Sequence, residues 1–255
     1  TRVRQRYADL IMRDTARDVA RLRPNVMRSL RESFHARTFI EVETPMLQVL
    51  HGGATARPFV THINAYDMDL FLRIAPELYL KRCVVGGLER VYEINRNFRN
   101  EGADSSHSPE FAMVECYESF GDWNSIAELT RGLVQEAAMS VFGSHLVTHA
   151  DGSVRNLGGA WHEISLFGAI SKALETEVTG TTSYDELLKH AKAVGLSVDP
   201  KWIPGKLAEE LFEYLCKDQL QEPTFVRGFP VDTSPLVRAH RSEAGVAEKW
   251  DLYID

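Results

Sequence analysis

The chain has 255 residues, 44% apolar and 25% charged, which is enough to bury a domain-sized core. No apolar stretch approaches the roughly 20 residues that cross a bilayer; the densest, Leu78 to Gly87, is interrupted by Lys81 and Arg82. A net charge of -7 excludes the broad basic footprint of a protein that grips nucleic acid nonspecifically, so any RNA partner is met locally or through another domain.

The first helical pattern runs from about Asp14 to Ala36, with Val19, Leu22, Val26, Leu30 and Phe34 at helical spacing and Asp14 or Thr15 able to cap it. Pro24 predicts a kink or break between Ala20 and Arg23. Phe39 to Glu43 alternates like a strand and ends at Thr44-Pro45. A glycine loop, His51-Gly52-Gly53-Ala54, leads to Pro58 to Thr61, which pairs with Phe71 to Ile74 in a predicted hairpin turning at Asn64 to Asp69. Pro76 to Val85 reads as a helix, with Pro at its first position and Gly86 at its end.

Two strands follow, Arg90 to Phe98 and Glu110 to Phe120, joined by polar Asn100 to Pro109. Period two puts Phe111, Met113, Glu115 and Tyr117 on one face, and Ala112, Val114, Cys116 and Glu118 on the other. A carboxylate and a phenol between apolar neighbours read as a site wall rather than core.

Residues from about Asp122 to Pro204 predict a peripheral helical insertion without a catalytic role. Its helices lie near Asn124 to Val141 and Ser183 to Val194, the second with a capping box at Ser183 to Glu186 and a stop at Gly195. A helix from Pro204 to about Lys217 and a strand at Thr224 to Arg227 follow, and Asp251 to Asp255 alternates like mid-strand. The expected division is 1–121 core, 122–204 insertion and 205–255 return to the core. Hairpins bracketed by separate helices indicate α+β with an antiparallel sheet. No Gly-x-Gly-x-x-Gly or Walker-type loop is present, so a bound nucleotide is held in neither a Rossmann site nor a P-loop. Cys83, Cys116 and Cys216 match no zinc or redox spacing and read as buried or half-buried thiols of a reducing cytosol. The opening Thr1-Arg2-Val3-Arg4 resembles no secretory signal, and both ends read as interior sequence.

The densest chemistry is Phe98-Arg99-Asn100-Glu101 with His107 and Phe111 after the loop. A guanidinium suits phosphate or carboxylate oxygens, and an aromatic ring offers a base a stacking platform. A surface ion pair and a core Phe account for the same residues taken alone. Together, however, Phe98-Arg99-Asn100-Glu101-Gly102, His107-Ser108-Pro109-Glu110-Phe111 and Glu115-Cys116-Tyr117 resemble motif 2 of the class II aminoacyl-tRNA synthetases. Phe39 to Pro45 resembles motif 1. Gly52-Gly53-Ala54-Thr55-Ala56-Arg57-Pro58-Phe59 and Arg73-Ile74-Ala75-Pro76-Glu77-Leu78-Tyr79-Leu80-Lys81-Arg82 are similar to the lysyl-tRNA synthetases within that class. Arg4 to Leu10, Pro223 to Val226 and Ser234-Pro235-Leu236 match the same family, which covers nearly the whole chain and is weakest between about Ser140 and Gly205.

The resemblance implies a class II synthetase-like antiparallel sheet flanked by helices, with a helical insertion. It implies ATP-dependent activation of lysine to lysyl-adenylate, with Mg²⁺, and transfer to the acceptor end of tRNA(Lys) by a cytoplasmic homodimer joined through Asp14 to Pro45. It assigns Glu77 to the α-ammonium, Glu115 to the ε-ammonium with Tyr117 beside it, and Gly53 to a backbone contact with lysine. It assigns Arg99 to the ATP α-phosphate as the catalytic residue, Glu101 and His107 to the loop around ATP, and Phe111 to the adenine. Each carboxylate has a plain alternative: Glu77 suits a helix N-terminus and Glu115 a cross-strand ion pair. His107 can equally be a solvated loop histidine, and Tyr117 a core residue.

Family members continue past the position of Asp255 with metal-binding carboxylates and motif 3, so the expected metal ligands lie beyond this chain, and these 255 residues alone are expected not to form lysyl-adenylate at a useful rate. Three other readings share the motifs. One is a lysine-activating paralogue that modifies an elongation factor or makes lysyl-phosphatidylglycerol. Another is a non-catalytic binding or dimerisation module. The third is activation of asparagine or aspartate, which a second pocket carboxylate disfavours. No membrane contact is expected from this region.

Overall fold

The computed structural model describes residues 4–104, 107–149 and 152–254. Helix α1 (Arg6–Met12) is followed by α2 (Asp14–Ala36), then β1 (Ile40–Glu41), β2 (Leu47–Gln48), β3 (Val60–Ile63), β4 (Met68–Leu72), α3 (Glu77–Val85), β5 (Arg90–Phe98) and β6 (Glu110–Glu118). The second half holds α4 (Trp123–Phe142), β7 (Leu146–Thr148), β8 (Val154–Asn156), β9 (His162–Ser165), α5 (Leu166–Leu174), α6 (Tyr184–Val194), α7 (Pro204–Leu215), β10 (Thr224–Pro230) and β11 (Val246–Tyr253). No helix among the described residues is long and apolar enough to cross a membrane.

The predicted elements recur with instructive differences. α2 is not broken at Pro24 but runs continuously for 23 residues. Proline removes one donor, and one missing bond is small against the rest of so long a ladder. β1 is two residues long and pairs parallel with β5, Ile40 opposite Val91. The hairpin forms as β3 and β4, with Val60 opposite Phe71 and Ile63 opposite Met68. Pro76 stands just before α3 rather than at its first position; Gly86 caps the helix end as expected, and the left-handed step follows at Gly87 (φ 101°). β6 stops at Glu118 rather than Phe120, because Phe120 adopts φ 61° and leaves the sheet. Among the elements without a sequence-based expectation are α1, α5, β2 and β7 to β9, all of ten residues or fewer, too short for a clear period.

The chain divides into two compact units, Thr1–Val26 with Asp122–Asp255, and Met27–Gly121. In the first, Leu166, Phe167 and Ile170 of α5, Leu187 and Ala191 of α6, and Leu207, Leu211 and Phe212 of α7 form a core with Val226, Phe229 and Val246 of the β10–β11 pair. β10 pairs parallel with β9 on one side and antiparallel with β11 on the other, with a bulge between Arg227 and Phe229. Residues within 122–204 and 205–253 thus share one core. Of the predicted capping box one half forms among the described residues, the Ser183 hydroxyl accepting from the Glu186 amide, and Gly195 (φ 85°) ends α6 as expected.

In the second unit, β5 and β6 pair over their full length, Arg90 opposite Glu118 and Phe98 opposite Glu110. Phe34 of α2 stacks on Tyr92 at 4.2 Å and meets Phe39 edge-on at 5.3 Å, closing a core with the buried Ile74, Leu80 and Val91. β2, β4 and β3 form a separate small sheet. Phe98 N–H donates to the Arg73 carbonyl at 3.0 Å, so the end of β5 is held against the end of β4.

Candidate functional site

All eight residues singled out from the sequence lie within Met27–Gly121. The β6 face forms as predicted, with Phe111, Met113, Glu115 and Tyr117 half-buried and Ala112 and Val114 exposed between them. In an antiparallel pair, opposed residues share a face. β5 therefore adds Asn97 opposite Phe111, Asn95 opposite Met113, Glu93 opposite Glu115 and Val91 opposite Tyr117.

One end of this face is acidic. The Tyr117 hydroxyl donates to Glu115 Oε2 at 3.0 Å, and burial holds that hydroxyl protonated well above the usual phenol range. Glu77, in the first turn of α3, accepts from Lys81 Nζ at 2.6 Å, and that ammonium lies 5.9 Å from the Tyr117 ring. Burial pushes the Glu115 carboxyl up from its ordinary value; the Tyr117 hydrogen bond and the charge of Arg73 oppose this, while the charges of Glu77 and Glu93 add to it. Glu93 is matched by Arg73 at 2.7 Å, with both side chains buried. Three carboxylates thus face two cations. Among the described residues Glu115 has no basic group at ion-pairing distance.

Gly53 is brought to this end. It stands at φ 88°, and a Cβ there would lie 2.9 Å from Glu77 Cβ and 3.4 Å from Ala75 Cβ. The loop backbone therefore presses against the start of α3 in a conformation that L side chains rarely adopt. Gly53→Ala is expected to destabilise the chain by about 1–3 kcal/mol, through the unfavourable φ and the displaced Glu77. Urea unfolding checks this, and a midpoint equal to wild type would contradict it.

The other end carries Arg99 and Phe111. The guanidinium lies 5.1 Å from the ring centroid, Nε is buried without a partner, and no carboxylate pairs with it among the described residues. Arg99 N–H donates to the Pro109 carbonyl at 2.9 Å, which closes the base of the connecting loop. Along a strand rising about 3.3 Å per residue, Phe111 and Glu115 are some 13 Å apart. An unpaired carboxylate at one end of the face and an unpaired guanidinium over an aromatic ring at the other suit a ligand with an ammonium group, an anionic linkage and a planar base.

Glu101 and His107 are placed differently. Glu101 Oε1 accepts from the Arg57 amide at 3.3 Å, tying the loop to the segment before β3. His107 is 74% exposed, with Nδ1 2.9 Å from Asp104 Oδ2, a contact made within the loop. Among the described residues neither is joined to Arg99 or Phe111 by a hydrogen bond, ion pair or ring contact. Sequence reading also missed the group beneath the site. Arg73 donates to Glu93, to Thr44 Oγ1 at 3.0 Å and to the Arg96 carbonyl at 2.8 Å, and Thr44 Oγ1 donates to Glu93 Oε2 at 2.6 Å. The available signal was a single charge in each of two apolar runs, Arg73 within Leu70 to Ala75 and Glu93 within Val91 to Ile94.

No cysteine is bridged: Cys83 and Cys116 are half-buried, Cys216 is buried, and burial pushes the Cys116 thiol up to about 12. No group of three or more His, Cys, Asp or Glu among the described residues is placed to hold a metal ion. In the other unit a cleft of about 570 Å³ is lined by Ile164, Gly168, Lys172, Cys216 and Leu220. Its charged lining is Lys172 alone, with Ser165 and Gln219 as the uncharged polar side chains, and it includes no carboxylate that would pair with an ammonium group.

The chain belongs to the family of class II tRNA synthetases (D, K and N), whose pattern it matches over residues 1–255. It is 62% identical over 255 residues to a lysine--tRNA ligase of Kineococcus radiotolerans, covering 100% of this chain and 51% of that protein. A lysine--tRNA ligase of Mycolicibacterium gilvum is 55% identical over 256 residues, with the same coverage. A lysylphosphatidylglycerol biosynthesis bifunctional protein, LysX, of Mycobacterium sp. is 48% identical over 98% of this chain and 23% of its own length. The chain spans about half the length of the lysine--tRNA ligases it matches.

Proposed function

We propose that this chain is the part of a lysine--tRNA ligase that binds lysine and ATP for formation of lysyl-adenylate, from which the lysyl group passes to tRNA(Lys). The carrying observation is the charge arrangement on the β5–β6 face: Glu115 is half-buried and without an ion-pair partner among the described residues, beside Glu77 and Tyr117. A buried charge is stable only when paired, so this end of the face favours a cationic ligand. In this reading Glu115 takes the ε-ammonium, Tyr117 holds the Glu115 carboxylate by its hydroxyl, and Glu77 takes the α-ammonium, for which it must exchange Lys81. Gly53 presents its backbone to the amino acid.

Arg99 is placed by the same reading at the α-phosphate. Its charge would offset the negative charge that grows as the lysine carboxylate attacks in line and pyrophosphate leaves. Phe111 carries the adenine, and Glu101 and His107 border the nucleotide from the loop. No side chain is needed as a general base, since the attacking carboxylate is already ionised; catalysis rests on alignment and charge. Magnesium enters as the ion that accompanies ATP. The residues described form no metal cluster, and no step is assigned to one. A cytoplasmic homodimer joined through residues 14–45 belongs to the same proposal, and a monomer by sedimentation would count against that part.

Titration calorimetry with the 255-residue chain tests the lysine site. Lysine and a non-hydrolysable lysyl-adenylate analogue are expected to bind, the analogue more tightly. Norleucine, which has the same carbon chain without the ε-ammonium, is expected to bind at least about 30-fold more weakly than lysine. Equal binding of lysine and norleucine, or no binding of the analogue, would overturn the reading. The bifunctional relative shares the chain at slightly lower identity, and the same lysine site serves both assignments.

A further inference from the structure

Glu93 and Glu115 stand directly opposite one another on β5 and β6. Opposed residues on one face have Cβ atoms about 5 Å apart, and like charges there repel. The structure answers this with one cation. Arg73 is 0% exposed and Glu93 1%, and their side chains meet at 2.7 Å. Arg73 is fixed on several sides: Nε donates to the Arg96 carbonyl, Nη1 to Glu93 and to Thr44 Oγ1, and its own amide to the Met46 carbonyl. Glu93 is equally held, accepting from the Thr44 hydroxyl and amide and from Asn95 Nδ2 at 3.2 Å. Nη2 of Arg73 is buried and hydrogen-bonds to nothing among the described residues. Hydrogen bonding alone does not account for burying that arm, whereas the charge that it shares acts on both carboxylates.

We propose that Arg73 is a positioning residue of the lysine site: without touching ligand, it is the internal counter-charge that lets two opposed carboxylates be held on one face, and so keeps Glu115 ionised for a cation. This rests on the lysine-site reading for its functional meaning, though the charge relation itself does not. The groups acting on Glu115 are Arg73 from the end of β4, Glu77 from α3, Glu93 from β5 and Tyr117 on its own strand, while Lys81 of α3 pairs with Glu77 and Cys116 lies on the opposite face of β6. Of these Arg73 lowers the Glu115 pKa and Glu93 raises it, as the geometry requires.

The signs separate this role from a merely structural one. Removing Arg73 leaves Glu93 uncompensated, and Glu115 should hold its proton to higher pH. Removing the Glu93 charge leaves Arg73 in excess, and Glu115 should lose its proton at lower pH. Removing both restores the original net charge. The test is the ¹³Cδ shift of Glu115 against pH in chain labelled at glutamate, assigned with E115Q, for wild type, R73M, E93Q and R73M/E93Q. The midpoint is expected to rise in R73M, to fall in E93Q, and to lie close to wild type in the double variant. A displacement of one pH unit makes lysine binding about tenfold weaker or stronger on the acid side of the midpoint.

Should R73M not fold, E93Q and the double variant still decide the matter. A midpoint in E93Q that rises or stays put, or one in the double variant displaced as far as in a single, overturns the proposal. Calorimetry with lysine separates the two readings. If the midpoints move as stated while wild type binds no lysine, the lysine site fails and the counter-charge stands. If lysine binds and the midpoints do not move, the reverse holds.

Discussion

Replacing Arg73 by methionine is expected to lower the stability of the chain by about 3–5 kcal/mol, the range for removing one partner of a buried ion pair. For a chain of this size that corresponds to a fall in Tm of roughly 10 °C. The cause is not the lost contact, since a fully buried pair contributes little net once desolvation is counted. It is the carboxylate left behind: Glu93, 1% exposed, would be a bare charge directly opposite Glu115. The double variant Arg73→Met/Glu93→Gln should therefore recover at least half of the loss, because it removes the stranded charge while the new side-chain amide keeps an oxygen that can accept from Thr44. Such strong non-additivity is expected only for groups in direct interaction. Chemical denaturation of the four proteins measures it. A single variant within about 1 kcal/mol of wild type would show that the pair is not buried as described.

Glu115→Gln should separate binding from stability. Lysine affinity is expected to fall by about 30-fold or more, since truncating one member of a desolvated charge pair typically loses 2–5 kcal/mol. The same change should raise Tm. Glu115 is held above the ordinary carboxylate range, first by burial. The folded chain therefore binds this proton to higher pH than the unfolded chain does. The stability that this provides is fully present below the unfolded pKa and is lost as pH rises through the folded value. At neutral pH the ionised carboxylate opposes folding, and a neutral isostere does not. Tm measured against pH for both proteins should show curves that separate as pH rises, E115Q above wild type. Lysine binding should strengthen with pH over that same interval, because the site needs the ionised form while lysine keeps its ammonium to about pH 10. An E115Q protein that binds lysine within threefold of wild type would remove Glu115 from the site.

These effects together make the site a place where stability is given up for function. Glu115 and Arg99 are charged groups of this site without an ion-pair partner among the described residues, and each stands where the reading places an opposite charge on the ligand. Lys81 on Glu77 is the reverse arrangement, an internal ammonium holding a place that the substrate would take.

The β6 face was legible in the amino-acid sequence because side chains on a strand alternate strictly. Period two alone put Phe111, Met113, Glu115 and Tyr117 together, and the structure keeps them so. Helices α2, α4, α6 and α7 were legible for a similar local reason, 3.6-residue spacing with caps such as Ser183 and Gly195. The residue types and their order along the chain were enough to place the family. What the order of residues could not decide was which charges cancel. Arg73 and Glu93 are 20 positions apart, Thr44 and Glu93 49, and they meet only because β4, β5 and the segment after β1 are held side by side. Nor could it decide that Glu101 turns to the Arg57 amide and His107 to Asp104, since loop side chains choose among nearby partners. Periodicity is local and survives in one dimension. Ion pairing depends on distance through space and on exclusion of water, and both exist only once the chain has folded.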